Sequence, residues 1–168
     1  MERIAIIGNA GGGKTTLARA LSRRHGLPLH IVDLAQWRPG WVATPPDELA
    51  AEHAGWLAEP RWIIDGFGGL ELIAARFAAA DTLIFVDFPL PIHYWWAMKR
   101  QAATLLRPRD DLPPDCPMLP MTWRLLKVMW WVHLELRPPI IGLLMAARRR
   151  GARVIHVRRP AQLAELAG

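Results

Sequence analysis

A glycine-rich run near the start of the chain has the residue types and spacing of a phosphate-binding loop. It follows the pattern G-x-x-x-x-G-K-[ST], in which glycines let backbone N–H groups turn around a phosphate and the lysine neutralises phosphate oxygens. The hydroxyl after the lysine is a Mg²⁺ ligand in this pattern. The sequence therefore predicts a site for ATP with Mg²⁺. The predicted site comprises Gly8, Asn9, Ala10, Gly11, Gly12, Gly13, Lys14, Thr15 and Thr16.

Two apolar runs end in aspartate, and a Mg²⁺-nucleotide site needs a carboxylate at the end of a neighbouring strand. Asp65 and Asp87 are the candidates. Asp65 is favoured as the metal-side carboxylate, acting with Thr15, because Gly66 follows it and permits close approach of the chain to a ligand. Asp87 precedes a proline by two residues and is predicted to cap the turn there.

Three further residues are candidates for binding a second substrate. Asp33 ends an apolar run and is expected at the carboxyl edge of the sheet, where ligands of open α/β folds bind. A carboxylate there can orient or deprotonate a hydroxyl group, whereas it would repel a phosphate unless metal or base contacts bridge the two. The alternative role of Asp33 is to cap the end of the strand. Trp37 is predicted either to stack on a ring-shaped substrate or to pack on its own domain. Arg76 is predicted either to supply positive charge to the substrate or to lie solvated on the surface.

The elements that must position these residues follow an alternating pattern. Short apolar runs alternate with longer amphipathic stretches, which is typical of a parallel sheet flanked by helices. The predicted strands are residues 3–8, 29–33, 61–65, 82–87 and 153–157, and the predicted helices between them are 14–25, 46–59, 70–79 and 90–106.

Residues 107–120 contain five prolines and are predicted to form a stiff loop. A tryptophan-rich helix over residues 122–136 is expected next, then a break at Pro138 and Pro139, then a helix over 140–150. Charged and polar residues interrupt the apolar part of the tryptophan-rich helix well short of the roughly 20 residues that a membrane span needs. A buried or interfacial helix without a membrane span is therefore predicted.

Composition limits the class of protein. The 168 residues are 52% hydrophobic and 21% charged, which fits one globular domain and excludes a disordered chain. Cys116 is the single cysteine, so no intrachain disulfide can form, structural zinc is not expected, and a cytoplasmic location is predicted. The N-terminal apolar run is too short for a signal peptide.

Charge is distributed unevenly along the chain. The net charge is +6, but residues 1–90 carry 8 basic and 10 acidic side chains, whereas residues 91–168 carry 13 basic and 5 acidic ones. The C-terminal half is therefore expected to meet anions, whether a phosphate-rich ligand, nucleic acid or an anionic membrane surface.

The sequence resembles the adenylate-kinase-like P-loop kinases, and within them the small proteins described as DNA topology modulation proteins or nucleotide kinases. The resemblance covers most of the chain. It is carried by residues 11–18, 31–33 with 37–41, 61–66, 76, 80–82, 85–89, 99–100 and 115–117.

The resemblance implies an α/β fold for residues 1–168, with a five-stranded parallel sheet of order 2-3-1-4-5 and a helical lid over about 107–137. That order places Asp65 beside the phosphate loop. The implied activity is transfer of the γ-phosphoryl group of MgATP to a small acceptor, with a nucleotide as one candidate. Lys14, Arg100, Arg107 and Arg137 are expected to stabilise the transferring group. The lid is expected to be mobile without nucleotide and ordered with it.

Two departures from the group concern the acceptor. Gly68 and Gly69 stand where adenylate kinases have proline and arginine, which removes an arginine that would grip an acceptor phosphate, and Leu90 replaces an arginine common in the group. The alternative function implied by the resemblance is an ATP-dependent regulator associated with nucleic acid. The oligomeric state is left open by the sequence.

Overall fold

The computed structural model describes residues 1–104 and 111–168, in which strands and helices alternate as the sequence pattern predicts. The strands are β1 (Arg3–Gly8), β2 (Leu29–Ile31), β3 (Trp37–Arg38), β4 (Val42–Ala43), β5 (Trp62–Asp65), β6 (Thr82–Val86) and β7 (Arg153–Val157). The helices are α1 (Lys14–His25), α2 (Val32–Gln36), α3 (Pro46–Ala58), α4 (Leu70–Ala79), α5 (Leu90–Ala103), α6 (Thr122–Trp131), α7 (Arg137–Arg149) and α8 (Pro160–Ala167).

Five strands form one parallel sheet in the order β2-β5-β1-β6-β7. Counted over the five predicted strands, this order is 2-3-1-4-5, so the predicted fold class is confirmed. The short strands β3 and β4 pair only with each other, as an antiparallel hairpin beside α2. Because β1 is central, the loop that follows it emerges between β5 and β6.

The core consists of two layers of apolar side chains, one on each face of the sheet. Successive residues of β1 alternate between them: Ala5 and Ile7 pack on one face, and Ile4 and Ile6 on the other. Helices α4 and α7 contribute to the first layer, and α1 and α8 to the second. Burial on both faces explains why the strands read as continuous apolar runs.

The second predicted strand is too long. It ends at Ile31, and Val32 begins the short helix α2, so Asp33 lies in the first turn of a helix and not at the end of a strand. Val32 is fully buried beneath the loop after β5, where a Cβ added to Gly66 or Gly68 would come within 2.9 Å of its side chain. This packing turns the chain inward one residue before Asp33.

The predicted break at Pro138 and Pro139 is wrong. A π-helical turn, Val132–Leu136, joins α6 directly to α7, and the prolines occupy the first turn of α7. Proline is tolerated there because a first-turn residue needs no N–H donor, and the wider π turn separates the two α-helical segments. Helix α8 has no counterpart among the predicted elements. In the part of the chain that the structure describes, no helix is both long and apolar enough to cross a membrane.

Candidate active site

The loop between β1 and α1 is packed too closely for side chains at its glycines. A Cβ at Gly8 would lie 2.1 Å from the carbonyl oxygen of Val86, and one at Gly11, where φ is +69°, would lie 2.4 Å from that of His93. Glycine is therefore required for both conformation and space. The loop is held against β6 on one side and α5 on the other.

Helix α1 begins at Lys14, directly after this loop. Gly13 occupies the N-cap position with φ of +73° and has no side chain with which to cap the helix. The first-turn N–H groups of α1 and the positive end of its dipole therefore face the loop, an arrangement that favours an anion.

The Lys14 ammonium closes the loop by donating a hydrogen bond to the carbonyl oxygen of Asn9 at 2.9 Å. Burial lowers the pKa of Lys14, and the negative charges of Asp65 and Asp33 oppose that shift. Phosphate oxygens at this position would add further negative charge beside the ammonium and so favour its charged form.

Thr15 and Asp65 meet at the same end of α1. The Thr15 hydroxyl donates a hydrogen bond of 2.6 Å to Oδ2 of Asp65. Asp65 is only 2% exposed. Burial raises the pKa of Asp65, opposed by the charge of Lys14 and by the Thr15 bond. Its second oxygen, Oδ1, is buried and has no hydrogen-bond partner among residues 1–104 and 111–168.

The Thr15 hydroxyl and the Asp65 carboxylate together fit a magnesium site. Mg²⁺ prefers oxygen ligands and commonly takes one or two from the protein, with the rest from phosphates and water. Within the described ranges no group of three or more His, Cys, Asp or Glu side chains could hold a metal alone. Binding of Mg²⁺ at Thr15 and Asp65 would therefore depend on phosphate oxygens, and it would give the buried Oδ1 of Asp65 a partner.

Arg76 is fully buried beneath the loop after β5, so its predicted alternative as a solvated surface residue is wrong. Its Nη2 donates to the carbonyl oxygen of Gly66 at 2.6 Å and to that of Phe67. Burial lowers the pKa of Arg76 to about 10, opposed by Asp65 and Asp33, so the side chain remains charged at neutral pH. Arg76 supports this loop from within and adds positive charge behind Asp65.

Asp33 and Trp37 occupy different surroundings. The half-buried Asp33 acts electrostatically on Lys14, Asp65 and Arg76, which places its carboxylate in the charged cluster of the phosphate loop. Trp37 meets Trp41 edge to face, with ring centroids 5.5 Å apart. It also lines a groove of about 500 Å³ beside the edge strand β2, and Asp33 is not among the residues lining that groove. In the described part of the chain, Trp37 therefore lies on a groove that Asp33 does not line.

Of the three arginines predicted to stabilise the transferring group, the structure describes Arg100 and Arg137, and these two lie in different surroundings. Nη1 of Arg100 lies 3.9 Å from Oδ2 of Asp111, and the Arg100 charge acts on Lys14, so this side chain reaches the phosphate-loop region. Arg107 lies outside the described residues. Arg137 forms a two-point ion pair with Asp87, with Nε–Oδ1 and Nη2–Oδ2 distances of 2.8 and 2.9 Å.

Asp87 is therefore the centre of a charged cluster and not the expected turn cap. His156 on β7 adds a third hydrogen bond, 2.8 Å from its Nε2 to Oδ2 of Asp87. Burial alone would raise the pKa of Asp87, but the bonds from Arg137 and His156 hold it below its ordinary value. The cluster ties the start of α7 to the ends of β6 and β7.

Two contacts of the phosphate loop were not predicted from the sequence. The Asn9 side chain donates from Nδ2 to the carbonyl oxygen of Met129 on α6 at 2.7 Å, which attaches the tryptophan-rich helix to the loop. Nδ1 of His93 on α5 lies 3.0 Å from the carbonyl oxygen of Ala10. Burial, with the charge of Lys14 adding to it, lowers the pKa of His93 to about 4, so its neutral ring donates to that carbonyl. No local pattern around His93 or Met129 signals these contacts.

Solved structures of small-molecule kinases are similar to this fold. Shikimate kinase from Acinetobacter baumannii, in complex with shikimate, aligns with a TM-score of 0.54 and 15% identity over 99% of this chain and 89% of its own. Shikimate kinase from Bacteroides thetaiotaomicron aligns with a TM-score of 0.54 and 14% identity over 99% and 94% of the two chains. The chain has an adenylate-kinase-like P-loop kinase fold.

A gluconokinase from Sinorhizobium meliloti 1021 aligns with a TM-score of 0.51 and 15% identity over 99% of this chain and 89% of its own. At these low identities the structural similarity shows the fold alone and carries no residue-by-residue assignment. No protein-family model matches the chain, and no curated protein matches it significantly.

Proposed function

We propose that this P-loop kinase fold catalyses transfer of the γ-phosphoryl group of MgATP to a small acceptor. The observation that carries the proposal is the meeting of Lys14, Thr15 and Asp65 at the uncapped start of α1, with one buried oxygen of Asp65 unpartnered within the described ranges. The fold shared with shikimate kinase and gluconokinase supports a small-molecule acceptor.

Residues of the phosphate loop and its neighbours have separate roles in the proposed transfer. The N–H groups of the loop and the Lys14 ammonium bind the β- and γ-phosphates and neutralise charge on the transferring group. A bound Mg²⁺ supplies Lewis acidity to the phosphate oxygens. Thr15 and Asp65 would hold that ion, Asp65 directly or through water. The charges of Lys14 and Arg76 oppose the raised pKa of Asp65, and Arg76 supports the loop after β5.

Asp33 is proposed to contact the acceptor and to take its proton. In the transfer, the acceptor oxygen forms a bond to the γ-phosphorus, the bond from that phosphorus to the β–γ bridging oxygen breaks, and ADP leaves. A hydroxyl acceptor releases its proton to Asp33, whose carboxylate lies in the same charged cluster as Lys14. The missing arginine at Gly68 and Gly69 favours such a hydroxyl over a nucleotide phosphate.

Arg100 on α5, together with Arg107 and Arg137 in a lid segment of about 107–137, is proposed to assist the transfer. Arg100 has the best position for phosphate contact because its charge reaches Lys14. Arg137 would have to leave Asp87 to touch a phosphate, so we assign it to anchoring of α7 near the loop. A cytoplasmic location remains the expectation from the lone Cys116.

An acceptor screen tests the proposal. Conversion of ATP to ADP is followed over nucleotides, nucleosides and small hydroxyl metabolites for the wild-type protein, Lys14→Ala and Lys99→Ala. Lys99 is the matched control because it is an exposed lysine on α5. We expect an acceptor-dependent turnover that Lys14→Ala lowers by about 100-fold or more and Lys99→Ala leaves unchanged. Equal turnover in a folded Lys14→Ala protein contradicts the proposal.

The charge of the C-terminal half favours a second candidate, an ATP-dependent regulator that binds nucleic acid, as in DNA topology modulation. Exposed arginines at the end of α7 and around β7 are the basis for this candidate; they are Arg148, Arg149, Arg150, Arg153, Arg158 and Arg159. Retention on duplex DNA against salt separates the two functions. A regulator is retained at physiological salt with a steep salt dependence, whereas a metabolite kinase is not retained.

A further inference from the structure

One face of the continuous helix formed by α6 and the π turn exposes tryptophans between basic residues. Trp123, Trp130 and Trp131 are 68%, 53% and 51% exposed, although tryptophan is a residue that folding normally buries. We define the Trp face by these three residues together with Leu134 and two exposed cations, Arg124 and Lys127. At roughly 200 Å² per tryptophan side chain, the three rings alone expose roughly 300 Å².

The opposite side of the same helix is firmly attached to the body of the protein. Met129 is fully buried and Val132 nearly so. The carbonyl oxygen of Met129 accepts the hydrogen bond from Asn9, and that of Leu126 accepts one from the Tyr94 hydroxyl at 3.3 Å. The Trp face is therefore the outer surface of an anchored helix and not a loosely packed part of the core.

The residue types on the Trp face indicate its occupant. Tryptophan has an apolar ring and a polar N–H and prefers the boundary between lipid headgroups and acyl chains. Lysine and arginine beside such rings are attracted to anionic lipids. The Lys127 ammonium lies 5.5 Å from the centre of the Trp123 ring, so charge and ring are presented together.

We propose that the Trp face binds the surface of a membrane that contains anionic lipids, with the helix lying along the surface. Charge favours lipid over a second copy of the chain, because each copy would bring two cations, Arg124 and Lys127, and a single exposed acidic residue to a self-paired helix. Glu135 is the one exposed acidic residue on this helix, and Lys99 on the neighbouring α5 adds a further cation. The proposal is independent of phosphoryl transfer.

Co-sedimentation of the full chain with vesicles tests this proposal. The vesicles are phosphatidylcholine alone or phosphatidylcholine with about 30% phosphatidylglycerol, and brominated lipids report ring insertion through quenching of tryptophan fluorescence. One variant pair is Trp123→Ser with Trp131→Ser; its control is Val42→Ser with Leu70→Ser, which removes exposed apolar groups elsewhere. The second pair is Arg124→Gln with Lys127→Gln; its control, Arg148→Gln with Arg149→Gln, makes the same change in net charge.

We expect binding to the anionic vesicles, with quenching, and little binding to phosphatidylcholine alone. Loss of the two cations of the Trp face should weaken partitioning on the order of 30-fold, from about 1 kcal/mol per cation, and the matched arginine pair much less. The tryptophan pair should weaken it at least about tenfold and abolish most of the quenching. Because all of these residues are exposed, we expect every variant to fold, and thermal melting checks this.

Three results would overturn the proposal. The first is absence of binding to anionic vesicles, and the second is equal loss of binding in the variants and their controls. The third is sedimentation equilibrium showing a dimer that the tryptophan pair converts to monomer, which would assign the face to a second copy of the chain.

Discussion

Asp65→Asn should reduce activity with little loss of stability, whereas Asp87→Asn should reduce stability with little loss of activity. Asp65 ends β5 and Asp87 directly follows β6, the two strands on either side of β1. Each substitution removes one charge with almost no change in shape. Burial raises the pKa of Asp65, so its carboxylate is less favourable in the folded chain than in water. The pKa of Asp87 is held down by Arg137 and His156, so its carboxylate stabilises the fold.

The magnitudes follow from the contacts. Asp87→Asn weakens two hydrogen bonds from Arg137 and one from His156, and the partial exposure of both partners reduces the loss to about 2 kcal/mol. For a chain of this length, that loss lowers Tm by about 4–8 °C. Asp65→Asn can keep the Thr15 bond through the amide oxygen, so Tm should fall by no more than about 2 °C or should rise.

Activity should follow the reverse order. Loss of the Asp65 carboxylate should reduce turnover with MgATP by a factor on the order of 10²–10³, because it removes an anionic oxygen at the proposed Mg²⁺ site. Asp87→Asn should reduce it less than about tenfold. Calorimetric melting and steady-state ATP conversion on the same preparations provide both measurements.

The pH dependence supplies an internal control. A carboxylate with a depressed pKa stabilises the fold above the pKa of the unfolded chain, about 4, and this stability is lost as pH falls through the folded value. The Tm difference between the wild-type protein and Asp87→Asn should therefore shrink below about pH 4. A large loss of stability in Asp65→Asn, or greater loss of activity in Asp87→Asn, would refute the reasoning.

Arg76→Met should lower the free energy of unfolding by about 2–3 kcal/mol, measured by urea denaturation, because two loop carbonyls lose their donor; wild-type stability would show that Arg76 does not support the loop. Asn9→Ala should cost about 1–2 kcal/mol and speed proteolysis of α6 through loss of the Met129 bond, and unchanged cleavage would argue against that attachment. MgATP affinity by calorimetry should fall at low pH, with a midpoint above the ordinary aspartate value of about 4, because burial raises the pKa of Asp65. At high pH the MgATP affinity should begin to fall below the ordinary lysine pKa of about 10.4, because burial lowers the pKa of Lys14. If the affinity falls only at the ordinary aspartate and lysine pKa values, both pKa shifts are contradicted.

The pattern of residue types along the chain was enough to locate the phosphate loop. The loop pattern spans eight consecutive residues between an apolar run and an amphipathic stretch, and its geometry depends on glycines at fixed spacing. The strand order also followed, through the resemblance to P-loop kinases. The length of β2 did not, because burial of Val32 beneath Gly66 and Gly68 depends on a loop more than thirty residues away.

The sequence alone determined that two aspartates end apolar runs, and only the tertiary structure decided what each one contacts. Asp65 meets Thr15 across 50 positions of the chain, while Asp87 meets Arg137 across 50 and His156 across 69. The neighbouring Gly66 and Pro89 gave the two aspartates different predicted roles, but their charges are balanced by side chains that only folding brings near. The same holds for the Trp face: its composition is visible in the sequence, but which tryptophans face outward depends on how Met129 and Val132 pack beneath them.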